Sequence, residues 1–374
     1  MIAQSSSWYK IAQDMLGVAG ITINGDKPED IRITNDAFYK RVLQEGSLGL
    51  GESYMDGWWK CDRLDLFFYK ILRANIESNL PFNLKDMVRI AGARIFNLQS
   101  KKRAWIVGKE HYDLGNDLFT RMLDPYMQYS CGYFKDTSDL NEAQEHKLEL
   151  ICRKLKLEPG MKVLDIGCGW GGLCAYMAKN YGVSAVGVTI SEKQYNLAKE
   201  RVKDLDVNIL LTDYRELKGN YDRVISVGMF EHVGVKNYNT FFSVVNNTLA
   251  ENGSFLLHTI GSKKSGNNVD PWINKYIFPN GALPSVRQIA SATEPYFVME
   301  DWHNFGADYD KTLMAWHERF MATYPEISQN YSERFKRMFS YYLQACAGAF
   351  RARSIQLWQV VFSRGIEEGL RVAR

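Results

Sequence analysis

One short segment, residues 163–172, constrains the fold of this chain more than any other feature. It reads VLDIGCGWGG, an apolar strand that runs directly into a glycine-rich turn, and helical spacing predicts a helix over 173–180 immediately afterwards. This order of strand, turn and helix is typical of nucleotide-binding sites, because glycine lets the backbone approach a ligand closely. A tight turn that only needs small residues is the alternative interpretation.

Strand and helix signals alternate on both sides of this turn. Apolar residues at helical spacing, from Leu148 to Leu155, predict a helix that ends before Pro159. Further strands are predicted over 185–188, 207–211, 224–227 and 254–259, and a further helix over 192–203. Such alternation is typical of a parallel sheet with helices on both faces. The sequence therefore predicts an α/β fold of the doubly wound, Rossmann-like type.

The first 80 residues have a different pattern. They combine a helical segment at 8–16, an apparent hairpin formed by 21–24 and 31–34, and an unusually apolar helical segment at 64–76. With 374 residues and 46% hydrophobic content, the chain is long enough for more than one core. We predict a small, mostly helical accessory domain over 1–80, a basic connector over 81–108 and a larger α/β domain over 109–374.

Composition argues against several classes of protein. No stretch approaches the roughly 20 uninterrupted apolar residues of a membrane-spanning helix. Lys10 and Asp14 interrupt the region where a signal peptide has its apolar core, so we expect a cytoplasmic protein. The six cysteines are scattered without a CxxC pair or a cysteine and histidine cluster, so free thiols and no metal site are expected. The net charge of +3 is too close to neutral to indicate a partner.

The residues after the second predicted strand argue against a dinucleotide site. Such a site has an acidic residue about 20 positions after the glycines, whereas this chain has GVTIS at 187–191. The segment DIGCGWGG instead resembles motif I of S-adenosylmethionine-dependent methyltransferases, and LTDY at 211–214 resembles their adenine-binding turn. The predicted cofactor residues are Asp165, Gly167, Cys168, Gly169, Gly171, Thr189, Gln194, Asp213 and Tyr214. Among them, the Asp165 carboxylate can hold a cationic amino group, directly or through water, and Thr189 and Gln194 would replace the usual ribose carboxylate.

Two polar residues, Glu231 and His258, fall at the ends of later predicted strands. Polar residues at the carboxyl ends of parallel strands line the ligand crevice of such folds. A histidine beside an apolar strand is more often a satisfied structural residue. The convergence of both residues on one rim of the sheet favours function.

The chain resembles bacterial cyclopropane-fatty-acyl-phospholipid synthases over essentially its whole length. The segments that carry the resemblance are LGLGESYMDGWW near Gly49, HYDLGNDLF near His111, YSCGYF near Tyr129, DIGCGWGG, GMFEHVG, IFPNG near Ile277 and ACAGAFRAR near Cys346. The family implies a class I methyltransferase domain with a seven-stranded, mostly parallel sheet. It makes 109–374 the catalytic domain and 1–80 a lipid-binding or membrane-binding domain.

The activity implied by this resemblance is transfer of a methylene from S-adenosylmethionine to a cis double bond in an acyl chain of a membrane phospholipid. Methyl transfer to the alkene leaves a carbocation, and a base must remove a proton before the ring can close. In the family this base is thought to be a bicarbonate ion, and the matching cradle here is Cys131, Glu231, His258, the backbone of Ile260, and Tyr309. Glu231 acting directly as the base is the alternative.

The resemblance also implies roles for other residues. Tyr129 and Ser130 would contact the methionine end of the cofactor. Cys346 matches a thiol sometimes treated as a nucleophile, although a buried structural cysteine is the alternative. The aromatic group Trp272, Tyr276 and Phe278, with Ile277, would line the mouth for the acyl chain or simply form the core of a lid.

A phospholipid substrate implies peripheral attachment to the inner face of the cytoplasmic membrane, and the family implies a homodimer. The candidate membrane contacts are the apolar face of 64–76 and the basic stretch 85–109. The alternative interpretation of the basic stretch is a charged surface that only faces solvent. An RNA or small-amine methyltransferase is an alternative, but the basic stretch offers only Phe96 and Trp105 for stacking, so no nucleic acid partner is expected. A non-catalytic lipid-binding protein is a second alternative, against which the intact site motifs argue.

Overall fold

The structure, a computed structural model, describes residues 7–75, 115–266, 269–366 and 368–374. The chain divides into two compact units. The first unit combines Met1–Phe96 with Asn268–Pro279 and Leu313–Ile355, and the second contains the remaining residues. The predicted connector over 81–108, the basic stretch 85–109 and the start of the His111 motif lie outside the described residues.

The elements of the described residues are numbered in chain order. The helices are α1 (Ser7–Val18), α2 (Ala37–Glu45), α3 (Ser47–Met55), α4 (Leu64–Arg73), α5 (Asn116–Met122), α6 (Leu140–Lys154), α7 (Gly172–Tyr181), α8 (Glu192–Arg201), α9 (Tyr238–Thr248), α10 (Pro271–Tyr276), α11 (Val286–Thr293), α12 (Ala307–Ile327) and α13 (Glu333–Arg351). The strands are β1 (Arg32–Ile33), β2 (Trp59–Lys60), β3 (Lys162–Ile166), β4 (Ser184–Thr189), β5 (Val207–Leu211), β6 (Tyr221–Val227), β7 (Leu249–Ser262), β8 (Val298–Asn304) and β9 (Ile355–Ser363).

The second unit is built on a seven-stranded sheet with the order β5-β4-β3-β6-β7-β9-β8. Strands β3 to β7 pair in parallel, whereas β8 runs antiparallel to β9. This sheet confirms the predicted Rossmann-like α/β class. Each strand predicted in this region is present, and the strand predicted over 254–259 extends to Leu249–Ser262.

Helices cover both faces of this sheet, and the burial of β3 explains its unbroken apolar run. Side chains alternate between the faces of a strand. Val163 therefore joins a buried cluster with Leu173 and Met177 of α7. Its neighbour Leu164 joins the cluster on the other face, which includes Phe241 of α9. A strand buried on both faces cannot alternate between apolar and polar residues.

The described part of the first unit is mostly helical, and the helices predicted at 8–16 and 64–76 correspond to α1 and α4. The predicted hairpin is wrong. Only an isolated bridge joins Ile23 to Ile31, and β1 pairs with the distant β2. The Asp30 carboxylate accepts hydrogen bonds from the backbone N–H groups of Thr22 at 2.7 Å and Lys27 at 3.0 Å. These side-chain bonds close the 22–30 loop in place of a strand ladder.

The apolar face of α4 contributes to the core of the first unit. Leu64 and Phe67 are fully buried, and the Phe67 ring lies 5.4 Å from that of Trp59. Every residue from 64 to 72 is buried or half-buried, so this face packs mainly within the first unit, and the membrane contact predicted for 64–76 stays a prediction. Within the described residues, no helix is both long and apolar enough to cross a bilayer.

Candidate active site

The turn between β3 and α7 depends on glycine at three alternate positions. Gly167, Gly169 and Gly171 have φ angles of +92°, +56° and +75°, which side-chain-bearing residues rarely adopt. A Cβ atom at Gly167 would also lie 2.6 Å from the Cβ of Met229. Beside Gly169, by contrast, a Cβ would meet no atom within 4 Å, so a ligand can approach the backbone there.

A pocket beside this turn brings together nearly all of the predicted cofactor residues. Its lining includes Tyr129, Ser130, Asp165, Gly167, Cys168, Gly169, Thr189, Gln194, Asp213 and Tyr214. Gly171 is not part of this lining; a Cβ there would lie 3.2 Å from the Cβ of Ala198, so glycine allows the turn to pack closely against α8. The lining also includes residues that the sequence analysis did not single out, among them Gln128, Trp170, Ile190, Met229 and His232.

A buried carboxyl group, that of Asp165 at the end of β3, lies in this pocket. The residue is 1% exposed, and its Oδ1 atom has no hydrogen-bond partner within the described part of the chain. Burial raises the pKa of Asp165 to about 7. A buried carboxylate oxygen without a partner is costly unless a ligand pairs with it. A cationic amino group, such as that of S-adenosylmethionine, fits this position.

Polar groups at the ends of β4 and β5 complete the lining. The Thr189 hydroxyl donates to Gln194 Oε1 at 2.8 Å, which holds the two side chains together. The Asp213 carboxylate accepts a hydrogen bond from Nε of Arg215 at 2.7 Å and is fixed beside Tyr214. These acceptors suit ribose hydroxyls and an adenine amino group, so the residues present fit the cofactor.

A second cluster of polar residues lies just after β6 and on β7. Glu231 Oε1 accepts a hydrogen bond from the backbone N–H of Ile260 at 2.7 Å. Glu231 Oε2 is buried and has no partner among the described residues. Burial raises the pKa of Glu231 to about 7. This carboxyl group is therefore able to take up or release a proton near neutral pH.

His258, on β7, has another buried polar atom. The amide Nε2 of Gln359 lies 3.3 Å from His258 Nδ1, so Nδ1 accepts this bond and the ring proton lies on Nε2. His258 Nε2 is buried without a partner in the described residues. Burial, together with the nearby Lys147 and Lys154, holds the pKa of His258 well below its usual range. The neutral ring therefore offers an N–H donor to a bound acceptor.

Cys131 and Tyr309 lie on segments that contact each other in the second unit. The Thr312 hydroxyl, one turn after Tyr309 in α12, lies 3.8 Å from the sulfur of Cys131. Burial raises the pKa of Cys131 well above its usual range, so its thiol is neutral. The adjacent Ser130 approaches Gly228, whose N–H donates to the His258 carbonyl at 2.9 Å.

Cys346 lies in helix α13 of the first unit and is partly buried. Burial raises the pKa of its thiol to about 12. Because the thiolate and not the thiol is the nucleophile, this environment favours the structural role over the catalytic one.

The sequence analysis did not identify Lys147, which lies on α6 and is 0% exposed. Its ammonium group donates to Gln128 Oε1 at 2.6 Å and to Ser130 Oγ at 2.9 Å. Burial lowers the pKa of Lys147 to about 8. Gln144 and Lys147 share the helix face that also carries the buried Ile151, and polar residues at positions of an apolar pattern are the signal that could have revealed them.

The sheet, the glycine turn and the buried carboxylate at the end of β3, whose Oδ1 has no partner among the described residues, are those of a class I methyltransferase. The family model for mycolic acid cyclopropane synthetase matches residues 99–360. The chain is 73% identical over 368 residues to the cyclopropane-fatty-acyl-phospholipid synthase of Escherichia coli strain K12, covering 98% of this chain and 96% of that protein. This chain therefore belongs to the mycolic acid cyclopropane synthetase family, and it is an S-adenosylmethionine-dependent methyltransferase.

Other relatives are consistent with this family. A tuberculostearic acid methyltransferase of Mycobacterium tuberculosis is 32% identical, with coverage of 87% of this chain and 80% of that protein. A solved cyclopropane synthase from Mycobacterium tuberculosis superposes with a TM-score of 0.66 at 30% identity, covering 69% of this chain and 98% of its own. A mycolic acid cyclopropane synthase, solved with S-adenosylhomocysteine and CTAB, gives a TM-score of 0.66 at 33% identity, with the same coverage of both chains.

Proposed function

We propose that this chain is a cyclopropane-fatty-acyl-phospholipid synthase, which transfers a methylene from S-adenosylmethionine to a cis double bond of a phospholipid acyl chain. Glu231 Oε2 and His258 Nε2 carry the proposal, because both are buried without a partner among the described residues. Together they provide an acceptor and a donor for a small polar group. A site that only delivers a methyl group to an amine does not require such a pair.

The reaction needs a site that excludes water and a base close to the added methyl group. An isolated alkene is a poor nucleophile and has to be held in line with the methyl donor. The bound cofactor supplies that methyl group on a positively charged sulfur. Methyl addition leaves positive charge on the acyl chain, and loss of one proton from the added methyl allows its carbon to close the ring. The acyl chain thus gains a CH₂ group, and the base takes the proton.

Bicarbonate is our proposed base, and the polar atoms of the cluster suit it. Glu231 Oε2 can accept the hydrogen bond of its hydroxyl, His258 Nε2–H can donate to its oxygens, and the neutral Cys131 thiol and Tyr309 complete the cradle. The N–H of Ile260 donates to Glu231 Oε1 in the structure, so it reaches a bound anion only if the Glu231 side chain rotates. Glu231 as the direct base is the competing scheme, and its pKa of about 7 suits that role as well.

The cofactor is held, in this proposal, by the residues around the glycine turn. Asp165 binds the amino group of the methionine moiety, and Tyr129 and Ser130 contact the same end. Thr189 and Gln194 bind the ribose, and Asp213 with Tyr214 binds the adenine. The main-chain groups of Gly167, Cys168 and Gly169 line the side of the ligand.

The cellular setting belongs to the same proposal. A phospholipid substrate requires peripheral attachment to the inner face of the cytoplasmic membrane, and we propose that the enzyme acts there as a homodimer. The basic stretch 85–109 and residues 1–80 remain the proposed membrane-binding parts. Trp272 is fully buried against Tyr341 of the first unit, with ring centroids 4.5 Å apart, which supports the lid-core interpretation of the aromatic group.

The test is an assay with vesicles of cis-monounsaturated phospholipid and isotope-labelled S-adenosylmethionine, with and without bicarbonate. Mass spectrometry of the acyl chains is expected to show the label in a cyclopropane ring and a rate that rises with bicarbonate. Label in a methylated alkene would refute the ring-closing step. If the rate of ring formation does not depend on bicarbonate, Glu231 is favoured as the base. If the label is absent from the lipid, the proposed substrate is refuted.

A further inference from the structure

A depression just beyond the end of β7 is lined by three cationic side chains. Lys263 and Lys264 follow the strand, and Arg287 lies in the first turn of α11. Ser265, Ser285 and Val286 complete the lining. All three cations are exposed, and none forms an ion pair with a carboxylate of the described residues. This concentration of unneutralised positive charge suits an anionic ligand.

Hydrogen bonds hold the walls of the depression in place. The N–H of Ser262 donates to the Pro284 carbonyl at 2.7 Å, and the hydroxyls of Ser265 and Ser285 lie 2.7 Å apart. Ser285 also caps α11 in a reciprocal pair of hydrogen bonds with Gln288. The backbone that carries the three cations is therefore held together without a ligand.

The two chain segments that form the depression also contact Glu231 of the proposed catalytic cluster. The carbonyl of Glu231 accepts a hydrogen bond from the N–H of Ala282 at 2.7 Å, and its carboxylate accepts one from Ile260. One segment runs from Ile260 to Lys263, and the other from Ala282 to Ser285. Because an extended chain rises about 3.3 Å per residue, the backbone of Lys263 lies roughly 10 Å beyond Ile260.

This spacing matches the depth of a double bond in a bilayer. The hydrocarbon core is about 30 Å thick, so one leaflet is about 15 Å thick and the middle of an acyl chain lies roughly 7 Å below the headgroup layer. The glycerol linkage adds a few bonds between this layer and the phosphate. A phosphate at the depression thus places a mid-chain double bond near the level of Ile260 and Glu231.

We infer that Lys263, Lys264 and Arg287 bind the phosphodiester of the phospholipid whose acyl chain is modified, at the surface of the bilayer. This inference rests on the proposed function. It gives a binding site to the headgroup end of the phospholipid, which the catalytic cluster does not contact. Lysine supplies a mobile positive charge, and arginine supplies a planar fork that matches two phosphate oxygens. Val286, which is 51% exposed, adds an apolar contact beside the cations.

The test compares the charge-reversing double variant Lys263→Glu/Lys264→Glu with a control double variant, Lys179→Glu/Lys203→Glu. The control lysines are exposed, lie in α7 and just after α8, and make the same change in net charge outside the depression. The measurements are sedimentation with phosphatidylglycerol vesicles, KM and kcat for the vesicle lipid, and the affinity for S-adenosylhomocysteine.

We expect the Lys263→Glu/Lys264→Glu variant to bind vesicles more weakly and to raise KM by about tenfold or more, with kcat and S-adenosylhomocysteine affinity unchanged. The control and the conservative variant Lys263→Arg/Lys264→Arg are expected to behave like the parent. Equal losses in both glutamate variants, or none in either, would overturn the inference. If the parent makes no cyclopropane at all, the proposed function fails, and vesicle sedimentation still decides whether the depression binds lipid.

Discussion

Three buried charged groups of the second unit differ from the buried Asp65 of the first unit in how they are paired. In the first unit the fully buried Asp65 carboxylate is bonded by Arg63 at 2.8 Å and by Arg351 at 2.7 Å. In the second unit Asp165, Lys147 and Glu231 are also buried, yet none has an oppositely charged partner within 4.0 Å among the described residues. Buried charge costs free energy unless it is paired, so the paired Asp65 stabilises the fold, whereas the buried carboxylates of Asp165 and Glu231 each keep one oxygen available for a ligand.

The pKa values follow this difference. Burial alone would raise the pKa of Asp65, but hydrogen bonds from Arg63 and Arg351 outweigh burial and lower it. Asp165 has no such cation, and burial raises its pKa to about 7. The same residue type is thus a stable anion in one unit and a titrating group in the other. Sites where local rules for burial fail are the expected places for function.

The largest effect is expected for Glu231→Gln. Removal of the carboxylate should lower kcat by about 100- to 10,000-fold, because proton transfer by a positioned group contributes a factor of this size. The free energy of unfolding should not fall, since an unpaired buried carboxyl is replaced by a neutral group of the same shape. Glu251→Gln, at an exposed position of β7, is the control and should keep full activity. A Glu231→Gln enzyme with near-parental kcat would end both proposed schemes of deprotonation.

The opposite result is expected for Asp65→Asn in the first unit. This variant breaks a buried pair and should lower the free energy of unfolding by about 3 kcal/mol at neutral pH. The folded-state pKa of Asp65 is lowered, so its contribution is present above the ordinary pKa of an aspartate and is lost as the pH falls through the folded value. Urea unfolding of parent and variant should therefore converge in acid. A constant difference at every pH would contradict the ion-pair interpretation.

The third prediction concerns the pH dependence of cofactor binding. Because the folded pKa of Asp165 is raised to about 7, the carboxyl is largely protonated below that pH, and a ligand ammonium group must displace the proton. Affinity for S-adenosylhomocysteine should thus fall by up to about tenfold for each pH unit below 7 and level off above it. In Asp165→Asn the affinity should be weaker and this slope absent. Calorimetry in buffers of different ionisation enthalpy measures how many protons are released when the ligand binds. If the pH dependence of the affinity is unchanged in the variant, Asp165 is not its source.

The sequence predicted the local parts of this architecture well and the long-range parts poorly. The β3 turn and the strand ends follow from short segments, because apolar runs and glycines act on their immediate neighbours. The hairpin at 21–34 was wrong because one side chain, Asp30, satisfies the backbone of its own loop. The inclusion of 313–355 in the first unit was not predicted, since helical periodicity does not reveal which helix a face will meet.

Within the proposed catalytic and cofactor sites, the sequence indicated which residues matter but not which of their atoms are buried without a hydrogen-bond partner. Glu231 and His258 were predicted from their positions at strand ends, whereas the unpaired Oε2 and Nε2 atoms depend on burial by distant segments. The bond from Ile260 to Glu231 was likewise absent from the sequence expectation, because it joins residues 29 positions apart. Lys147 was missed because it belongs to no motif, and its only signal is a polar residue within the apolar pattern of α6.

Lys147 gives the last and smallest prediction, since helix α6 contains its own control. Lys147 and Lys154 are both fully buried, but only Lys154 has a carboxylate, with its Nζ 3.1 Å from Asp301 Oδ2. Lys147→Met should therefore cost less stability than Lys154→Met, which breaks an ion pair.

For cofactor binding we expect the reverse order, with a larger effect of Lys147→Met than of Lys154→Met. Lys147 positions Ser130 and Gln128 in the pocket lining, so Lys147→Met should weaken S-adenosylhomocysteine binding by roughly two- to tenfold, the usual effect of one lost hydrogen bond. Because the pKa of Lys147 is lowered to about 8, the parent should approach the variant as the pH rises through that value. Chemical unfolding and calorimetry on both variants test this. The prediction is wrong if Lys154→Met weakens S-adenosylhomocysteine binding more than Lys147→Met does. In that case, the presence or absence of an ion pair would not distinguish a structural lysine from one that supports the cofactor site.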